Sequence, residues 1–111
     1  ISSTINFSNV TTIGDYGMYC CFAYSSIPTG PNLRKVTSIG ESGLGQCFDN
    51  SLALSEVTVP NVSVWNQTTF EDWLNNAGGN VSGTKTIYCP TGVTIPENNS
   101  GIPTGWTRVD Y

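Results

Sequence analysis

The chain has 111 residues, a formal net charge of −4 and only 11% charged residues, which bounds it to one domain with a modest core. Its four basic residues, Arg34, Lys35, Lys85 and Arg108, are too few for the basic stripe that neutralises nucleic-acid phosphates, so no nucleic-acid partner is expected. No apolar run is long enough to cross a bilayer, which sets aside direct membrane insertion by this segment.

Asn, Ser and Thr fill about a third of the chain, a surface suited to an extracellular β-rich protein. Asn-x-Ser/Thr sequons include Asn9, Asn61, Asn66, Asn80 and Asn98, but such matches arise by chance in so Asn-, Ser- and Thr-rich a chain. The chain opens at Ile1 without a charged start and apolar run. It reads as the C-terminal piece of a longer extracellular protein, with its export signal outside this segment.

In chain order, Ile5-Asn-Phe7 alternates apolar and polar residues and predicts a short strand. A repeat follows: Val10, Thr11, Ile13, Gly14, Gly17, Cys21 and Phe22 return 26 residues on as Val36, Thr37, Ile39, Gly40, Gly43, Cys47 and Phe48. Self-similarity at this spacing predicts coils that stack, each burying an apolar edge against the next. Pro28, Gly30 and Pro31 mark a loop between the two copies. Leu54 and Val57 repeat the spacing of Leu33 and Val36 and open a third, degenerate coil. Thr68 and Glu71 then fit a capping box, and Phe70, Trp73 and Leu74 fall on one face of a predicted short helix ending by Gly78-Gly79. Lys85 to Cys89 and Trp106 to Tyr111 read as closing strands. Residues 1–64 are thus expected as repeat coils and 65–111 as a capping unit of the same domain, with Trp65, Trp73 and Trp106 sealing the open end.

The segments Ile13-Gly14-Asp15-Tyr16-Gly17-Met18-x-x-Cys21 and Ile39-Gly40-Glu41-Ser42-Gly43-Leu44-x-x-Cys47, with Leu54-x-x-Val57-x-Val59-Pro60, resemble the BspA-type leucine-rich repeats of bacterial surface proteins. The Trp73-Leu74, Tyr88-Cys89-Pro90 and Gly101-to-Trp106 segments are similar to a terminal unit of such proteins in gut bacteria. The resemblance departs at residues 22–32 and 48–51. It implies a right-handed, β-rich, leucine-rich-repeat-like solenoid with one short cap helix, and a surface binding or adhesion module. It carries no catalytic residues onto this chain.

The residues themselves point the same way. The chain has no His, so the usual Ser-His and Cys-His nucleophile pairs cannot be built. Without His or C-x-x-C spacing, no zinc site is expected, and no cofactor is implied. Cys21 and Cys47 occupy one repeat slot and read as small buried thiols, with a disulfide between stacked layers or a bound metal as the alternatives. Asp15 and Glu41 share another slot. As solvated turn residues they do nothing further, whereas as a carboxylate pair they would suit a glycosidase or a calcium ion. Tyr16, Tyr19 and Tyr24, with Arg34, are the candidate ligand-binding residues, because outward Tyr offers rigid contact area with a polar tip. Ile13, Gly14, Cys21, Ile39, Gly40, Cys47, Trp73 and Trp106 are the candidate structural residues. The expectation is a non-catalytic, monomeric module binding an extracellular protein or glycan. Its alternatives are a phage or prophage receptor-binding or decoration component and a carbohydrate-active solenoid.

Overall fold

Segments 14–25, 40–51 and 66–77 share a backbone conformation that is neither helix nor strand. In the first, alternate N–H groups turn back three residues, Gly17 to Gly14, Tyr19 to Tyr16, Cys21 to Met18 and Ala23 to Cys20, at 2.9–3.2 Å. The N–H groups between them point sideways into the next segment, from Met18 to Gly43, Cys20 to Gly45, Phe22 to Cys47 and Tyr24 to Asp49, at 2.8–3.0 Å. The second segment donates in the same way to the third, from Leu44 to Thr69, Gln46 to Glu71, Phe48 to Trp73 and Asn50 to Asn75. Every fourth residue is left-handed to make the alternation possible: Tyr16, Cys20 and Tyr24 at φ 54–57°, Ser42, Gln46 and Asn50 at 50–55°, and Asp72 and Asn76 at 51° and 57°. Each such residue costs roughly 1–2 kcal/mol, offset by the sideways hydrogen bond it directs. We refer to these segments as the first, second and third turn ribbons.

Side chains two residues after Tyr16, Cys20, Ser42, Gln46 and Asp72 point inward, and Phe70 joins them in the third ribbon. Met18 and Phe22, Leu44 and Phe48, and Phe70 and Leu74 are all buried. Phe22 stacks on Phe48 with centroids 5.5 Å apart and planes 8° from parallel, and Phe48 meets Trp73 edge-on at 6.0 Å. Burial of one such side chain contributes about 1.5–3 kcal/mol.

The computed structural model describes residues 7–111; the strand expected over Ile5 and Asn6 lies outside the described residues. Strand β1 (Thr12–Ile13) leads into the first ribbon and β2 (Ser38–Ile39) into the second, and the two pair in parallel, Thr12 with Ser38 and Ile13 with Ile39. Strands β3 (Glu56–Thr58), β4 (Lys85–Cys89) and β5 (Trp106–Asp110) form a second parallel sheet in that order. Its inner face buries Val57, Ile87 and Trp106, and Cys89 is also buried.

The expected leucine-rich-repeat-like solenoid with a short cap helix is corrected by this architecture. Among the described residues there is no helix, and the strands make two small parallel sheets of two and three strands in a compact globule of 33 × 29 × 22 Å. The helix predicted over 68–74 fails because Asp72 and Asn76 are left-handed. The capping box fails too: Asn66 Oδ1 accepts the Thr68 N–H at 3.0 Å and the Thr68 hydroxyl at 2.7 Å. The molecule closes because segment 97–101 folds over the third ribbon. There Asn99 O accepts the Leu74 N–H, Ser100 Oγ accepts the Asp72 N–H, and Gly101 O accepts the Trp73 indole N–H at 2.9 Å.

The spacing that matched Leu33 and Val36 to Leu54 and Val57 is not the structural register. Glu56 bridges Thr29, and the Val36 carbonyl accepts the N–H of Asn61, so Val57 lies beside Gly30 instead. Both leucines are fully buried all the same.

Candidate functional site

The left-handed residues of the ribbons turn their side chains outward, because their neighbours two residues away turn inward. On the first ribbon this exposes Tyr16 and Tyr24, 55% and 77% accessible, together with Cys20. Tyr19, 44% accessible, meets Tyr16 edge-on at 5.7 Å and lies against the second ribbon at Gly45. Gly45 makes that possible: a Cβ there would stand 3.0 Å from the Tyr19 ring. The same face continues with Gln46, whose Oε1 accepts the Cys20 thiol at 3.8 Å, and with Asn50 and Asn76, joined at 3.2 Å. Beside it runs a ladder of amides: Asp49 Oδ1 accepts from Asn75 at 3.0 Å, and Asn75 Oδ1 accepts from Asn99 at 3.1 Å. The result is a firm outward face on which three of the four predicted binding residues sit.

Arg34 belongs to a different place. Its guanidinium lies over the rings of Tyr111 at 4.7 Å and Tyr88 at 5.5 Å, on the outer face of the β3-β4-β5 sheet. The Tyr88 hydroxyl donates to Glu56 Oε1 at 3.2 Å, and the Tyr111 hydroxyl donates to the Val59 carbonyl at 2.6 Å. Burial pushes the Tyr111 phenol up to about 12, an effect that the Arg34 charge opposes. Sequence reasoning missed Tyr88 and Tyr111 as partners of Arg34. The signal was the alternation of β4 and β5, which puts Tyr88, Val109 and Tyr111 on one face.

Among the structural candidates, Ile13, Cys47, Trp73 and Trp106 are buried, and Ile39 packs against the core. The Trp65 indole donates to the Ser100 carbonyl at 2.9 Å while its ring stacks on Phe70 at 3.8 Å. Gly14 and Gly40 share a repeat slot but not a role. A Cβ on Gly14 meets nothing within 4 Å, whereas one on Gly40 would collide with the Asp15 carboxylate and backbone. Cys21 is exposed, which corrects its reading as a buried thiol; Cys20 is exposed as well, and Cys47 and Cys89 are buried. Burial raises the Cys21 thiol, holds Cys47 far above its ordinary value and lifts Cys89 to about 11.

Asp15 and Glu41 lie on adjoining ribbons, but Asp15 Oδ1 accepts the Glu41 N–H at 2.8 Å, so this carboxylate holds a turn. Among the described residues, no group of three or more Cys, Asp or Glu is placed to hold a metal ion. Clefts indent the surface formed by the described residues. One of about 320 Å³ lies between Thr37, Ile39, Val64 and Phe70, and one of about 370 Å³ between Asn76, Lys85, Asn99 and Trp106. Neither includes the tyrosine face. Compared with protein-family models, with curated proteins and with solved structures, the chain has no match.

Proposed function

We propose that the chain is a non-catalytic binding module of a surface-displayed bacterial protein, which contacts an extracellular protein or glycan through the outward face of the first ribbon. The observation that carries this reading is the exposure of Tyr16, Tyr19 and Tyr24 on a backbone fixed by two sets of hydrogen bonds. A tyrosine has only two side-chain torsions, so ordering it on a ligand costs little entropy, while its ring and hydroxyl offer apolar and polar contact together. The resemblance of the Ile13-to-Cys21 and Ile39-to-Cys47 motifs to BspA-type repeats supports surface display.

The reading is tested by binding to immobilised extracellular-matrix proteins and to an array of bacterial surface glycans. The expected result is retention on one of these, weakened about tenfold or more when Tyr16, Tyr19 and Tyr24 are replaced together by Ala, in line with aromatic anchors at binding surfaces. Retention that survives the triple replacement unchanged would contradict the assignment of this face.

A further inference from the structure

The first ribbon carries a second feature that does not depend on its tyrosines. In the second ribbon the carbonyls of Glu41, Gly43, Gly45, Cys47 and Asp49 each accept an N–H from the first ribbon, and Thr69, Glu71, Trp73 and Asn75 of the third each accept one from the second. The same slots in the first ribbon are Asp15, Gly17, Tyr19, Cys21 and Ala23. Among the described residues none of these five carbonyls has a hydrogen-bond partner. Asp15, Gly17, Tyr19 and Cys21 are exposed. Five acceptors at two-residue spacing therefore form the outer edge of the stack. Phe7, edge-on to Phe22 at 6.2 Å, covers the apolar interior at that end, so the edge is a polar one.

We propose that this edge is an interaction surface for a polypeptide partner, a segment of which lies down as a further turn ribbon and donates alternate backbone N–H groups to the five carbonyls. An open ladder edge is a template for pairing, and main-chain hydrogen bonds supply the affinity when an extended segment is added to one. The chemistry selects the occupant. Alongside the five carbonyls the edge offers acceptors only, because the N–H groups of residues 16–25 are already bonded within the first ribbon or to the second. Two copies meeting at this edge would set carbonyl against carbonyl. The far side of the stack gives no free donor row either, since Asn99 and Ser100 take the Leu74 and Asp72 N–H groups. Sugar hydroxyls can donate, but not in a row with two-residue spacing. A partner segment needs N–H groups at alternate positions, so it has no Pro there, and it needs residues that tolerate the left-handed conformation at every fourth position.

Two probes test this. In the first, residues 10–35 are duplicated directly before Val10, which holds a donor ribbon beside the edge at high effective concentration. The amides of Met18, Cys20 and Phe22 in the added copy are expected to exchange at least about 100-fold more slowly than in the free peptide of residues 10–35. Free-peptide exchange rates in the added copy, with the original amides still protected, would overturn the proposal. In the second, that peptide is titrated into the unaltered chain and the carbonyl carbons of Gly17, Tyr19 and Cys21 are followed by NMR. Methylation of the peptide nitrogens at Met18 and Phe22 is expected to weaken binding about tenfold or more, by loss of two donors; equal binding by the methylated peptide, or none at millimolar concentration, contradicts the proposal. Binding should change less than about twofold when Tyr16 and Tyr24, whose carbonyls are not among the five, are replaced by Ala, since surface side chains away from the bonded backbone contribute little. That result separates this edge from the tyrosine face, which can fail on its own.

Discussion

The first and second ribbons have nearly the same sequence pattern and the same backbone, yet different surroundings. The second lies between two hydrogen-bonded neighbours; its Phe48 sits between Phe22 and Trp73, and Gly40 and Gly45 admit Asp15 and Tyr19 from the first ribbon. The first has a neighbour on one side only among the described residues. In its slots are Gly14, where an added Cβ would meet nothing, and the exposed Tyr16, Tyr19 and Tyr24 where the second ribbon has Ser42, Gly45 and Asn50. Equal residues in a repeat therefore do unequal work. Position in the stack decides whether a slot serves packing or faces outward, and the large polar-tipped side chains gather on the side where the described residues place no further ribbon.

Substitutions at paired slots either break this contrast or sharpen it. The largest effect is expected at Phe48, which is fully buried: Phe48→Ala should cost about 3–5 kcal/mol. Phe22→Ala should cost less, because among the described residues Phe22 has a ribbon on one side only, with the half-buried Phe7 on the other. Both are read as urea midpoints at constant slope, and equal losses would remove the distinction between the ribbons. Next come the glycines. Gly40→Ala should destabilise by about 1–3 kcal/mol through overpacking against Asp15, while Gly14→Ala stays within about 0.5 kcal/mol, as for open surface sites.

Alkaline pH probes the buried thiols. Burial raises Cys47 and Cys89 in the folded state above the ordinary value of 9.0, with Cys89 at about 11. The folded chain then holds protons that the unfolded chain releases, so stability is intact below about pH 9 and falls as pH rises toward 11. Cys89→Ala should flatten that fall in urea titrations at stepped pH; an unchanged slope would show that Cys89 is not the group responsible.

The smallest effects belong to the exposed side chains. Arg34→Ala removes the cation from above Tyr88 and Tyr111 and should cost about 0.5–1 kcal/mol. Tyr24→Ala should change stability by less than about 0.5 kcal/mol, which leaves any loss of ligand attributable to contact. A larger cost at Tyr24 would mean that the face is structural.

How far the sequence was legible follows from what each pattern can distinguish. The 26-residue spacing of Val10–Phe22 and Val36–Phe48 is the register at which Ile13 pairs with Ile39. The alternation at 85–89 and 106–110 marks β4 and β5. The third ribbon was hidden because Trp65-Asn66 stands where Ile39-Gly40 does, and Trp73-Leu74 where Cys47-Phe48 does. Its apolar residues Phe70, Trp73 and Leu74 bury at spacings of three and four, which a helix and a turn ribbon produce alike. The clue that separates them is Asp72 and Asn76 four residues apart, since Asp and Asn accept the left-handed region more readily than other side chains. Among the candidate binding residues, Tyr16, Tyr19 and Tyr24 fall together because one ribbon carries them. Arg34 separates from them because the loop before it leads to another face, a long-range arrangement that local spacing does not encode.

The most direct test is the detection by NMR of scalar couplings across the sideways hydrogen bonds, from the amide nitrogen of Phe22 to the carbonyl carbon of Cys47 and from that of Phe48 to Trp73. The ribbon account predicts both couplings, with none from Leu74 to the carbonyl carbon of Phe70. A coupling from Leu74 to Phe70, as in an α-helix, with no sideways couplings, would contradict it.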